Sequence, residues 1–162
     1  MKKIDQNSYD QDDHSFISIE HFLPYRLNVL AKRISQSLAQ IYTSEFGISI
    51  FEWRVLLWLK NRPKLTAKGI CELAFMDKTQ VSRTIKKLEI RRLIERQSDS
   101  KDQRNHPLCL TPEGLTLIDH IIPKAIAWEK SLIQHLSIKE YTDLLEVIEK
   151  LEASLKHKDN ET

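Results

Sequence analysis

Apolar residues recur every three or four positions along most of this chain, and the period breaks between Leu93 and Thr111. That spacing stacks side chains on one face of a helix, so the chain is confined to a mainly helical fold with one small insert of another kind. From about Ile19 to Ser44, the residues Leu23, Leu27, Leu30, Ile34, Leu38 and Ile41 form a continuous seam, which predicts a long helix ended by Gly47. Ser49 and Glu52 have the spacing of a capping box and open a second helix that carries Trp53, Leu56, Leu57 and Trp58 up to Pro63. A third starts at Thr66 and is expected to bury Ile70, Leu73 and Ala74. Asp77, with Gln80 at the reciprocal position, caps a fourth whose buried stripe is Val81, Ile85 and Leu88. Two short helices in tandem make a helix-turn-helix.

In the break, LIERQ and HPLCL flank SDSKDQRN. They read as a small antiparallel ribbon with a charged tip, in which Pro107 keeps one strand edge-like: a wing. Thr111 and Pro112 start a fifth helix, with Leu115, Ile118, Ile122, Ile126, Trp128 and Leu132 and a kink expected at Pro123. Ser137 and Glu140 cap a sixth that runs through Tyr141, Leu144, Leu145, Ile148, Leu151 and Leu155. The expected fold class is mainly α with a small two-stranded β wing, a winged helix-turn-helix with N- and C-terminal dimerisation helices. Its segments are a loosely held tail at 1–15, a dimerisation helix at 16–48, the winged module at 49–111, and linking and dimerisation helices at 112–158. The stripes at both ends could fold back on the module or pair across a two-fold axis; their length favours an intertwined dimer.

Charge is concentrated where the period breaks. Between Lys78 and Arg104 stand nine basic residues (Lys78, Arg83, Lys86, Lys87, Arg91, Arg92, Arg96, Lys101, Arg104) and four acidic ones (Glu89, Glu95, Asp99, Asp102), against +2 for the whole chain. A basic patch on a nearly neutral protein is the footprint of a surface that meets phosphates, whereas a solvated helix face is the competing reading of any charge run. Thr79, Gln80, Ser82 and Arg83 lie in the first turns of the fourth helix, where side chains reach major-groove base edges. Gln suits adenine and Arg suits guanine, while Thr79 and Ser82 are equally suited to phosphate. Lys86, Lys87 and Arg91 lie further along and suit DNA backbone or solvent.

Other classes fit poorly. The three glycines make no phosphate-cradling loop, the six histidines form no i, i+4 ligand pair, and no nucleophile elbow is present, so neither catalytic residues, nor a metal site, nor a cofactor is expected. No apolar run reaches the roughly 20 residues of a membrane span, and the N-terminus lacks a signal peptide's apolar region, so no membrane partner and a cytoplasmic location are expected. Cys71 and Cys109 fit neither a disulfide scaffold nor a metal knuckle; buried inert thiols are the first reading and a thiol-based redox sensor the second. A winged helix used only for protein contact is a further alternative.

The segments MDKTQVSRTIKKLEIRRLIER and SDSKDQRNHPLCLTPEG resemble the recognition helix and wing of the MarR family of bacterial transcriptional regulators, and the resemblance runs nearly the whole length. In the wing it rests on Asp99, Lys101, Asp102, Arg104, Leu110, Thr111 and Gly114. It implies a homodimer that binds a double-stranded palindromic operator, represses or less often activates nearby genes, and is released by a small molecule. Lys101 and Arg104 are then DNA contacts, and Asp99 and Asp102 orient Arg104 or stiffen the turn. Two positions depart from the family: Lys101 stands where Arg is usual, and Arg92 stands where Gly usually follows the recognition helix. Arg92 either adopts a left-handed conformation, costing near 1 kcal/mol, or the helix ends differently. The resemblance also implies an effector pocket among the first, second and fifth helices. Phe22, Tyr25 and Trp53 are its candidate aromatic walls and Arg26 its carboxylate partner, with core packing and a surface ion pair as the alternatives. LPYRLNVLAKRIS and FEWRVLLWL resemble the subgroup controlling degradation of aromatic acids such as hydroxycinnamates, which implies an aromatic carboxylate or its CoA thioester as effector.

Overall fold

A computed structural model describes residues 17–97 and 106–159. The expected wing tip, with Asp99, Lys101, Asp102 and Arg104, and the expected N-terminal tail lie outside them. The chain divides into two compact units, Met1–Gln40 and Ile41–Thr162. Its elements run α1 (Leu23–Phe46), α2 (Ile50–Asn61), α3 (Ala67–Ala74), α4 (Lys78–Ile90), β1 (Ile94–Arg96), β2 (Leu108–Leu110), α5 (Pro112–Ile133) and α6 (Ile138–Asp159). Among the described residues the architecture is mainly helical with one two-stranded antiparallel sheet.

Local chemistry sets the boundaries. The first helix starts four residues later than its apolar seam suggests, because Ser18–Phe22 closes a turn and Pro24, which has no N–H to give, suits a first helical turn. It ends at Gly47, the residue expected from the sequence to end it, whose φ of +61° is left-handed. At α2 both halves of the capping box form: Ser49 Oγ accepts from the Glu52 amide at 3.3 Å, and Glu52 Oε2 accepts from the Ser49 amide at 2.9 Å. Thr66 caps α3, Asp77 caps α4 and Thr111 caps α5, each accepting the amide three residues on. The box at Gln80 does not close. Its side-chain amide turns forward to donate to Thr84 Oγ1 at 3.2 Å, since the Thr84 hydroxyl is already held in the buried stripe by the Gln80 carbonyl.

The core of the second unit gathers Ile48, Val55, Leu56, Leu59, Ile70, Val81, Ile85, Leu88, Leu108, Ile118 and Ile121. Leu73 is half-buried rather than core, and on α5 it is Ile118 and Ile121 that are buried while Leu115, Ile126 and Leu132 stay exposed. The ribbon pairs Ile94 with Leu110, Glu95 with Cys109 and Arg96 with Leu108, and Leu108 also bridges Leu65, so β2 lies between two extended neighbours. No described residue of α6 is buried. Its Leu144, Leu145, Ile148, Leu151 and Leu155 are open to solvent in the single chain, as are Leu23, Leu27 and Leu30 of α1.

Candidate nucleic-acid interface

The α4 stripe expected from spacing is the one observed, and it fixes which residues face out. Val81, Thr84, Ile85 and Leu88 are buried; Lys78, Thr79, Ser82, Arg83, Lys86 and Lys87 are exposed and Gln80 is half-exposed. Grooves run on both flanks. One, of about 470 Å³, lies against the start of α2 and is lined by Ser49, Phe51, Arg83, Lys86, Lys87 and Ile90 among others. The other, of about 570 Å³, runs against α3 and β1, with Lys68, Cys71, Lys78, Ser82 and Arg96 on its walls.

The described basic residues of this region, Arg92 in the turn after α4 apart, sort into two groups. Arg91 and Arg96 are committed to the protein. Arg96 Nε meets Glu89 Oε1 at 2.7 Å, which pins β1 to the last turn of α4. Arg91, expected at DNA or in solvent, instead reaches 44 residues back: its guanidinium donates to the carbonyls of Gly47 at 3.0 Å and Phe46 at 3.2 Å and lies 3.4 Å from Glu52 Oε1. It satisfies carbonyls left open at the end of α1 and neutralises a carboxylate that is 6% exposed. Lys78, Arg83, Lys86 and Lys87 form no ion pair among the described residues. Four unpaired cations beside Thr79, Gln80 and Ser82 make one face of one helix able to take several phosphates and present donors between them.

The helix is held in place by the turn after it. Arg92 is left-handed, φ +55°, which decides between the two alternatives: it occupies the position that glycine usually fills. The Arg92 amide donates to Glu89 and the Leu93 amide to Leu88, the two bonds of a Schellman end. Thr111 then clamps this turn. Its hydroxyl donates to the Arg92 carbonyl at 2.7 Å while accepting from the Gly114 amide at 3.0 Å, and its own amide donates to the Leu93 carbonyl. Gly114 admits this approach, since a Cβ there would stand 1.9 Å from the Leu93 carbonyl oxygen. The Leu-Thr-x-x-Gly sequence is thus the device that seats α5 on the end of α4.

The aromatic candidates stand in different settings. Phe22, Tyr25 and Arg26, in the first unit, are exposed. Trp53, in the second, is buried and stacked on Tyr42 with ring centroids 5.3 Å apart. Neither groove beside α4 is lined by any of these four. The Tyr42 hydroxyl is the buried side-chain polar atom left without a hydrogen bond among the described residues, and burial raises its pKa. Cys71 is half-buried on the α3 groove. Cys109 is held protonated: burial first, then the neighbouring Glu95 carboxylate, push its thiol up. No described helix is long and apolar enough to cross a membrane.

Residues 46–105 match the model of the MarR family. A MarR/EmrR family transcriptional regulator from Acinetobacter sp. ADP1 superposes with a TM-score of 0.80 at 30% identity, covering 87% of this chain and 99% of that one. The HTH-type transcriptional regulator SarZ of Staphylococcus aureus (strain USA300) is 29% identical over 102 residues, 63% of this chain and 61% of SarZ. S. aureus MepR, solved with DNA, shares the fold at 23% identity and a TM-score of 0.73, over 84% of this chain and 98% of MepR.

Proposed function

Because the chain belongs to the MarR family of transcriptional regulators, we propose that it is a homodimer that regulates transcription by binding a palindromic operator through α4 and the wing. The observation that carries this is the set of unpaired cations on α4, Lys78, Arg83, Lys86 and Lys87, beside a pair of arginines tied up internally. A phosphate-binding face needs charges with no prior partner, and these four supply them. In this reading Thr79, Gln80, Ser82 and Arg83 reach base edges, the lysines of α4 meet phosphates, and Lys101 and Arg104 engage the adjacent minor groove with Asp99 and Asp102 as supports. Dimerisation is supported by the uncovered apolar faces of α1 and α6, and it would set two copies of α4 about 34 Å apart, one helical turn of DNA. Repression and a cytoplasmic location follow from the same reading, and no enzymatic role is proposed.

For regulation, a small aromatic acid or its CoA thioester as effector is supported by the α1 and α2 segments and by the buried Tyr42 hydroxyl beside Trp53, a polar atom that a ligand could satisfy. Phe22, Tyr25 and Arg26 are the first unit's candidates for the same class of ligand. Thiol sensing gains no support at Cys109, where the reactive thiolate is disfavoured.

A gel shift with duplexes selected from a random pool tests the DNA reading: a retained palindrome supports it, and a chain that retains no duplex over bulk DNA at low salt opposes it. Thermal shift against aromatic acids and their CoA esters tests the effector class, with no ligand-dependent stabilisation counting against it.

A further inference from the structure

We infer that Phe75 is a specificity-determining DNA contact, which packs its ring on a thymine methyl group at the edge of the groove entered by α4. The inference rests on the DNA-binding reading above and deepens it.

Phe75 joins two unusual properties. It is left-handed, φ +50° and ψ +49°, at the end of α3, where helices usually place glycine or asparagine because a Cβ is strained there. It is also 94% exposed, the most exposed of the large apolar side chains among the described residues. Single exposed apolar residues are ordinary and need no explanation. One held in a strained conformation with its ring in solvent gains nothing from burial to offset the strain, and such outliers concentrate at functional sites. The left-handed turn also separates it from its neighbour: the Met76 amide donates back to the Cys71 carbonyl and Met76 is 7% exposed, so the chain sends Met76 into the core and leaves Phe75 outside.

Its place in the chain names the occupant. Phe75 stands two residues before Asp77, the cap of α4, and three before Lys78, the first unpaired cation of the proposed interface. A surface that meets Lys78 and Thr79 at the start of α4 therefore lies within reach of Phe75. Thymine is the base that offers an apolar group, its C5 methyl, in the major groove, and phenylalanine is among the side chains that read it. Phe75 thus adds an apolar reader to an interface otherwise composed of donors and cations.

Fluorescence anisotropy tests this on a duplex selected by the full-length protein, with each thymine replaced in turn by deoxyuridine, which removes the methyl group alone. At one thymine in each half-site, the wild type should lose about fourfold in affinity, the worth of one buried methyl. Phe75→Ala should lose at least as much on the unmodified duplex, be indifferent to deoxyuridine at that thymine, and keep the wild-type salt slope, since no counterion is involved. Phe75→Gly should bind like Phe75→Ala yet melt no lower than the wild type, because glycine relieves the left-handed backbone. Unchanged affinity in Phe75→Ala overturns the inference, as does a loss independent of the thymine methyls or a marked fall in the melting temperature of Phe75→Gly. A wild type that selects no duplex is a different result, because it removes the DNA-binding reading itself.

Discussion

At the scale of single residues, the tightest constraint is the meeting of Gly114 with the Leu93 carbonyl. Gly114→Ala would drive a methyl group into backbone at 1.9 Å, and neither partner is the flexible end of a side chain. The variant is expected to lose about 2–3 kcal/mol or more, as overpacked core sites do, read as a lowered urea midpoint. Arg91 is the second such residue. Arg91→Ala leaves the carbonyls of Phe46 and Gly47 and the buried Glu52 without their donor, an expected loss of about 1–3 kcal/mol in the same measurement. An Arg91 that only contacted DNA would leave the stability of the free protein unchanged. Neither role can be read from spacing, because each depends on a partner 20 or more residues away whose position is set by packing.

At the scale of elements, local hydrogen bonding was the legible part. The caps Ser49, Thr66, Asp77, Thr111 and Ser137 and the stripe Val81, Ile85 and Leu88 are readable because a helix start is encoded within three residues and a buried face within two turns. Gln80 departs from its expected role for a related reason: the box needs its side-chain oxygen to accept from the Asp77 amide, and the buried Thr84 hydroxyl instead draws its Nε2 forward as a donor. The left-handed ends at Phe75 and Arg92 were harder still, since neither residue type favours that conformation. The box at α6 carries a pH prediction. Glu140 accepts from both the amide and the hydroxyl of Ser137, and these bonds hold its carboxyl below its usual value of 4.5. A lowered folded-state pKa stabilises above the unfolded value and is lost as pH falls through the folded one. The start of α6 should therefore loosen below about pH 4.5. The protection of the amides at residues 138–141, taken as exchange relative to the intrinsic rate at each pH, should fall on acidification in the wild type and stay level in Glu140→Gln.

At the scale of the whole molecule, the apolar residues of α6 are exposed in the single chain, and that imbalance is what supports the proposed dimer. Replacing Ile148 and Leu151 together by lysine should shift sedimentation to the monomer and cost operator affinity by more than tenfold, because each half-site would then bind alone. Intact dimers carrying both substitutions would argue for a different interface. The central claim, that α4 reads sequence rather than only charge, is tested most directly at Arg83, an exposed side chain with no ion pair among the described residues. Affinity of Arg83→Ala, measured at fixed salt on the selected palindrome and on random duplex, should fall about tenfold or more on the palindrome, as expected for one lost base contact, and much less on random DNA. Equal losses on both duplexes, or none on either, would contradict it.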